Sequence, residues 1–376
     1  MKKNVVITRS NPVRPDSRVE KEAIALVRAG YSVKVLCWDR DSDHKPCKEF
    51  LKLVDTTVPV IRIGYRASFG EGMKNIIPYL KFQFAMRNWL KKNQSEITVL
   101  HACDFDTAFF TYRIAKRNNI KVVFDIFDFI GSERKTMKQK VLSALQYDII
   151  NKSDATIICT EERKKQICGS KPKKLAIIHN TPSKDQLSEN IEISDNNDNR
   201  VSVCYVGILQ DGRLLREIGE YFSKNHNIVF HVGGFGYLEP YFEKLSAENP
   251  NIKFYGRIPY EETLALEKNC DIMLAIYDPQ IDNHKYAAPN KFYESLFLGK
   301  PVIMVNGTGM AEVVKENEIG ELIEYSESGF SKGIQNMIER KNEWPEIKER
   351  MKALYEESYN WEEMSKRLVE LYSSLV

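Results

Sequence analysis

The sequence predicts an α/β fold of two doubly wound domains facing a cleft. Short β-branched runs alternate with amphipathic stretches along most of the chain, the pattern of parallel strands joined by helices. The alternation breaks once, at residues 183–200, where an acidic Asn/Asp/Ser-rich segment has no periodicity and reads as a linker. A chain of 376 residues also exceeds one ordinary core. Strand–helix–strand units in series imply right-handed crossovers, and two such series make two Rossmann-like halves, 1–185 and 200–355.

Composition narrows the class. With 43% apolar and 28% charged residues the chain has the make-up of a globular protein. A net charge of +3 gives no bulk attraction for nucleic acid, so no nucleic-acid partner is expected. The seven cysteines (Cys37, Cys47, Cys103, Cys159, Cys168, Cys204 and Cys270) are odd in number and include no C-x-x-C pair, which supports neither a disulfide framework nor a zinc site. No run approaches the ~18 apolar residues of a membrane span. The apolar run at residues 5–8 is too short for a signal peptide. A reducing, cytoplasmic setting is the expectation.

The first series opens with a strand at 5–8, a Pro- and Arg-rich loop to Arg18, a helix over 19–29 stopped by Gly30, and a strand at 32–38. Another strand is expected at 60–63. Residues 62–92 then carry Arg62, Arg66, Lys74, Lys81, Arg87, Lys91 and Lys92 against one acid, Glu71. Within them, 78–90 reads as an aromatic helix with a basic end. It suits either a core-packed helix with a solvated lysine edge or a helix lying in a membrane interface. A strand at 97–100 leads through His101-Ala102-Cys103-Asp104-Phe105-Asp106-Thr107 into a helix. Asp104-Phe105-Asp106 has the form of a metal-holding Asp-x-Asp, but acids before a helix also cap its N–H groups. The strand at 122–125 ends in Asp125, with Asp128 beyond, where open α/β sheets place ligands. A basic stretch follows (Arg134, Lys135, Lys138 and Lys140), then a helix to Asn151, a strand at 155–159, a helix at 161–167 and a strand at 175–178.

The second series has strands at 201–206, 228–232, 251–256 and 272–277, with helices at 213–225 and 261–269 between them. It then reaches Ala287-Ala288-Pro289-Asn290-Lys291-Phe292-Tyr293-Glu294, a helix with Gly299 just past its end, Pro301 forbidding continuation, and a strand at 302–305. Small residues before this helix let an anion approach its N-terminus, Lys291 adds a positive charge, and Glu294 one turn along could accept from sugar hydroxyls. Phosphate and hydroxyl recognition within one turn suits a nucleotide or nucleotide sugar; an ordinary capped helix suits the same residues. Gly233-Gly234-Phe235-Gly236-Tyr237-Leu238-Glu239 begins like a dinucleotide fingerprint but ends in Glu239 in place of the last glycine. Neither a Walker loop nor G-x-S-x-G occurs.

In order and joint occurrence these pieces resemble family-4 glycosyltransferases of the GT-B fold over nearly the whole chain. The resemblance rests on Tyr205-Val206-Gly207 with Gly212-Arg213, on Asn251 to Gly256 with Arg257-Ile258-Pro259, and on Pro289 to Glu294 with Gly299-Lys300-Pro301. It also rests on Tyr359-Asn360-Trp361-Glu362, Asn11 to Val19, and His101-Ala102-Cys103-Asp104. It implies that residues 356–376 form a C-terminal helix crossing back to the first domain. It implies sugar transfer with retention, from a nucleotide diphosphate sugar, most simply a UDP-sugar, to a hydroxyl of a glycan or polyprenyl-linked acceptor in surface polysaccharide synthesis. Arg213, Lys291 and backbone N–H groups would hold the diphosphate, with Gly207 and Asn290 beside it. Glu294 would hold the ribose, Arg257 and Ile258 the base, and Asp104 or His101 would act at the reaction centre. Arg14, Arg18 and the 62–92 strip would face an anionic acceptor at the inner face of the cell membrane, with peripheral contact. No metal and no cofactor beyond the donor is implied, since fixed cations stand in a metal's place.

Three residues depart from the family pattern. Ile208 stands where an arginine commonly follows the glycine. Tyr286 replaces the first glutamate of E-x7-E, and Cys103 replaces the second histidine of His-x-His-Asp. The missing glutamate leaves the donor sugar open. A nucleotide-sugar epimerase of the same fold and a non-catalytic carbohydrate- or partner-binding protein remain as other readings.

Overall fold

The computed structural model describes residues 3–13, 16–53, 55–68, 72–131, 136–187 and 200–376. Contacts divide the chain into two units: residues 1–179 with 364–376, and residues 180–363. The sequence readings at Arg14, Glu71, Arg134 and Lys135, and most of the 183–200 linker, lie outside the described residues.

The first unit follows the order β1 (Asn4–Arg9), α1 (Ser17–Arg28), β2 (Ser32–Asp39), β3 (His44–Leu53), β4 (Thr56–Gly64), α2 (Ile76–Asn93), β5 (Val99–Cys103), α3 (Asp104–Arg117), β6 (Lys121–Ile126), α4 (Met137–Lys152), β7 (Ala155–Ile158), α5 (Arg163–Gln166) and β8 (Leu175–Ile177). Its eight strands run β3-β4-β2-β1-β5-β6-β7-β8, parallel except for the β3–β4 pair. β1 pairs with β2 on one side and β5 on the other, so the direction of winding reverses there. Open α/β sheets bind ligands at the carboxyl ends of strands flanking such a reversal. The apolar strands β1, β5, β6 and β7 are buried almost throughout, as strands covered by helices on both faces must be.

The second unit continues with β9 (Val201–Ile208), α6 (Leu215–Lys224), β10 (Ile228–Phe235), α7 (Glu239–Glu248), β11 (Ile252–Phe254), α8 (Tyr260–Asn269), β12 (Ile272–Ala275), α9 (Asn290–Leu298), β13 (Val302–Val305), α10 (Ala311–Glu316), β14 (Gly320–Ile323), α11 (Glu327–Glu339) and α12 (Trp344–Leu354). Its sheet runs β11-β10-β9-β12-β13-β14, wholly parallel, with the reversal at β9. Phe222 stacks on Phe230 at 4.5 Å and meets Phe330 edge-on, so aromatic packing ties α6 and α11 to the sheet. α9 ends as its sequence requires. Gly299 takes the left-handed conformation at φ +64°, which a glycine adopts without steric cost.

The last helix, α13 (Trp361–Ser373), begins in the second unit, and from Met364 onward belongs to the first. Met364, Leu368, Leu371 and Tyr372 recur on one face and are buried. The Tyr372 hydroxyl sits 2.7 Å from Nδ1 of His101, and its ring meets Tyr31 edge-on.

Several elements differ from the sequence reading. β3 was not expected. It is a largely exposed edge strand rich in lysine, so it has little of the apolar alternation that marks a strand. β5 begins two residues later than expected and runs through His101 and Cys103, which places those residues in the sheet. The expected 161–167 helix is only α5. α2 buries Phe82, Met86 and Leu90, spaced by four, and stacks Phe82 on Trp38 at 5.3 Å. It also leaves Ile76, Ile77, Leu80 and Phe84 exposed on another side.

Replacing Tyr372 by phenylalanine removes the hydroxyl from His101 and leaves a buried ring nitrogen short of a partner. We expect Y372F to lose about 1–3 kcal/mol of stability in chemical denaturation. An unchanged midpoint would mean that the hydroxyl does not anchor α13.

Candidate functional site

In the second unit the predicted residues gather at the carboxyl end of β9. A Cβ at Gly207 would stand 2.6 Å from Nζ of Lys291, so a side chain there would displace the ammonium. Gly234 on β10 is needed for the same turn, since its Cβ would lie 1.7 Å from the Gly207 carbonyl oxygen. Lys291, in the first turn of α9, is 8% exposed, with its ammonium 4.6 Å from the Tyr205 ring centroid. Burial pulls this ammonium toward deprotonation. Tyr277, Tyr205, Glu294 and Glu267 outweigh that pull and hold its pKa above the ordinary lysine value.

Arg213 approaches Tyr205 from the loop before α6 and hydrogen-bonds its hydroxyl. That hydroxyl donates to the Ile208 carbonyl at 2.9 Å. The guanidinium lies 3.9 Å over the Tyr277 ring. Two cations from separate segments thus converge on one tyrosine at the end of the central strand. Glu294, one turn beyond Lys291, is buried and hydrogen-bonds the Tyr260 hydroxyl of α8. Glu267, also on α8, is fully buried, and among the described residues neither of its carboxyl oxygens has a hydrogen-bond partner. Burial first, and Glu294 second, push its pKa well above the carboxylate range.

Asn290 is exposed at the start of α9 and accepts from the Asn180 amide at 2.9 Å. Arg257 and Ile258 follow β11. The Arg257 guanidinium lies 4.7 Å over the Phe235 ring, and Ile258 packs where a side chain at Gly233 would otherwise reach. Ile208 is exposed at the mouth of the β9 turn. The sequence reading missed the tyrosines that organise this cluster, Tyr205 and Tyr277, because an aromatic at a strand end looks like core. It missed Glu267 because a carboxylate on an apparently amphipathic helix looks solvated.

The first unit assembles a second cluster at the ends of β1, β5 and β6. Asp104 takes a left-handed backbone conformation, φ +64°, at the β5–α3 junction. Such strain in a non-glycine residue persists only where surrounding contacts enforce it. Here Asp104 Oδ1 accepts from the backbone N–H groups of Phe127 and Asp128 at 3.0 and 3.1 Å, and Oδ2 pairs with Arg9. Arg9 also bonds Asp16, the residue that caps α1, at 2.9 Å. Burial raises the Asp104 carboxyl to about 6, against the downward pull of Arg9.

Two residues named in the sequence analysis sit inside this unit, His101 and Arg18. His101 is fully buried, with Nδ1 on Tyr372 and Nε2 3.4 Å from both Glu22 and Asp125. It is held among partners inside the unit. Arg18 does not present a cation to an acceptor. It is 4% exposed, grips Asp125 through two nitrogens at 3.0 and 2.8 Å, and donates to the Ile178 carbonyl. A planar guanidinium matches a carboxylate in this two-pronged way, and that match draws it inward. His101, Cys103 and Asp125 bring ligand atoms within 4.8 Å of one another, but the Arg18 guanidinium already supplies the positive charge beside Asp125. Of the basic strip, Arg62 pairs with Glu49 at 2.7 Å, whereas Lys74, Lys81, Lys91 and Lys92 are exposed.

We expect the Asp104 carboxyl to titrate near pH 6 in carbon-detected NMR, and R9A to move the midpoint upward by removing the opposing charge. A midpoint at the ordinary aspartate value would remove the strained, partly desolvated environment from consideration.

Comparison with known proteins places the chain in a family. The sequence profile described as Glycosyltransferase Family 4 matches residues 17–181, and that described as Glycosyl transferases group 1 matches residues 186–361. No curated protein sequence matches the chain. Among solved structures, sucrose-phosphate synthase from Thermosynechococcus elongatus superposes with a TM-score of 0.75 at 14% identity, covering 100% of this chain and 99% of that one. Anabaena HepE in complex with UDP-glucose gives 0.71 at 11% identity, covering 99% of each chain. The catalytic domain of starch synthase IV from Arabidopsis thaliana, bound to ADP and acarbose, gives 0.66 at 13% identity, covering 100% of this chain and 99% of that one. At these identities the likeness concerns the fold. The two profile matches carry the family: the chain belongs to glycosyltransferase family 4, retaining enzymes of the GT-B fold that use nucleotide-sugar donors.

Proposed function

We propose that this glycosyltransferase takes its sugar from a UDP-sugar and delivers it to a hydroxyl of a glycan or polyprenyl-linked acceptor in surface polysaccharide synthesis. The observation that carries the reading is the convergence of Lys291 and Arg213 on Tyr205, with Glu294 one turn further along α9. A departing nucleoside diphosphate gains negative charge as the glycosidic bond breaks. Preorganised cations lower the barrier most where that charge develops. Lys291 is suited to this because it is charged, buried and fixed by packing, so little reorganisation accompanies the reaction. Glu294 accepts from the ribose hydroxyls and sets the donor's register along the cation pair. Gly207 and Asn290 leave room for the phosphates at the turn, and Arg257 with Ile258 flanks the base. UDP is the nucleotide proposed, as in the UDP-glucose complex of HepE, which shares the fold, and the ADP complex of starch synthase IV makes ADP the ligand to compare. Asp104 is the candidate at the reaction centre, with a carboxyl poised near neutrality that could hold or release a proton at Oδ2.

The acceptor side of the proposal rests on α2. Ile76, Ile77, Leu80 and Phe84 are exposed on a helix that also presents Lys81, Lys91 and Lys92 to solvent. Apolar side chains with flanking lysines suit the headgroup region of an anionic bilayer, where a lipid-linked acceptor resides. The setting proposed is therefore cytoplasmic and peripheral, at the inner face of the cell membrane. Among the described residues no helix is long and apolar enough to cross a membrane.

Three measurements test this. E294A should weaken UDP binding ~10–100-fold in calorimetry, the loss of charge-assisted hydrogen bonds to ribose; unchanged affinity would remove the ribose role. K291M should lower turnover of the nucleotide sugar selected by a thermal-shift panel by ~100-fold or more; a wild-type rate would remove the leaving-group role. The protein should float with anionic liposomes at low salt, and the I77E/F84E variant should not. Failure of the wild type to float would remove the membrane contact.

A further inference from the structure

Arg213 is held by a histidine that the reading above does not use. His284 lies in the turn Asp282–Tyr286, just before α9. Its Nδ1 is 2.9 Å from the Asp278 carbonyl oxygen, which can only accept, so Nδ1 carries the proton. Its Nε2 is 2.9 Å from Nη1 of Arg213, which can only donate, so Nε2 presents its lone pair. The two partners together fix the ring as one neutral tautomer. We propose that His284 is a positioning residue, whose neutral ring holds the Arg213 guanidinium in the orientation that meets the donor diphosphate. This rests on the assignment of Arg213 to the diphosphate.

The surroundings support a fixed, rather than incidental, contact. Nη1 of Arg213 also donates to the Gly212 carbonyl at 3.0 Å, and that carbonyl accepts from the Asp278 N–H at 3.0 Å. The Tyr277 ring lies under the guanidinium and meets the His284 ring edge-on at 5.2 Å. The Gly309 N–H donates to the His284 carbonyl at 3.1 Å, and a Cβ at Gly309 would stand 1.9 Å from the Ala287 oxygen. The loops after β9, β12 and β13 are therefore tied together around one imidazole. A long, half-buried arginine samples many rotamers unless its head is gripped, and the ring supplies the grip from the side.

Protonation would undo it. A second proton on Nε2 would face the N–H of Arg213 and set two cations against each other. The charged and titratable groups around the ring are Arg213 and Tyr277 on the packed segments, Asp278 across the turn, and Asp282 and Lys285 on the turn itself. The Asp278 carboxylate accepts from the Gln280 N–H at 2.8 Å, so it is already engaged within its own loop.

The test compares UDP with UMP in calorimetry, using the full chain as wild type, H284N, H284Q and R213A. Asparagine can reproduce the donor to Asp278 but cannot reach Arg213; glutamine can offer an acceptor oxygen where Nε2 stands. H284N should weaken UDP ~10-fold or more and UMP by less than ~2-fold, while H284Q should stay within ~3-fold of wild type for both. Wild-type UDP affinity in H284N, with R213A weakened, would overturn the role of His284. Equal losses of UDP and UMP in both His284 variants would also overturn it, by showing a collapsed turn. Wild-type UDP affinity in R213A would instead overturn the diphosphate assignment on which the inference rests.

Discussion

The second unit depends on holding a charged lysine where water barely reaches. The Lys291 ammonium is kept ionised by the π-face of Tyr205 and by the Glu294 and Glu267 carboxyls around it. That placement dictates much of the local sequence. A side chain at Gly207 would displace the ammonium, and Gly234 must lack one because β10 presses on the Gly207 carbonyl. α9 must start at Asn290 and stop at Gly299 so that Lys291 and Glu294 share the face turned toward β9 and α8.

The first unit solves a different electrostatic problem. Glu22, Arg18, Asp125 and His101 are all buried within one contact network, and a desolvated charge is costly unless matched. Arg18 matches Asp125 with two hydrogen bonds. Burial, then the nearby Asp125, pushes the Glu22 carboxyl to about 7, which spares the network a second full negative charge. Asp104 lies beyond this network, partly exposed and strained, with Arg9 as its counter-ion. The buried network is scaffold and Asp104 is the face it supports.

The parts of this molecule legible in the sequence are those written in local rules. The end of α9 was legible to the residue, because Gly299 and Pro301 punctuate it, and its start to one position, Pro289 or Asn290. The central strands were legible because burial on both faces writes them as continuous apolar runs. The roles of His101 and Arg18 were not legible, because a histidine at a strand end and an arginine in a loop look the same whether they face solvent or a buried carboxylate. Only Asp125, more than a hundred positions from Arg18, decides between the two. Tyr205, Tyr277 and His284 were missed for the same reason: each acts through a partner supplied by a different loop.

The same limitation bears on β3. Lys45, Lys48, Glu49 and Lys52 lie exposed along it, and Pro46 interrupts it. These residues hid the strand from a reading based on apolar alternation. They also make the open border of the eight-stranded sheet a poor template for another chain, since an incoming strand would meet like charges and a missing N–H. The illegibility of β3 and the resistance of that border to self-association are two expressions of one composition.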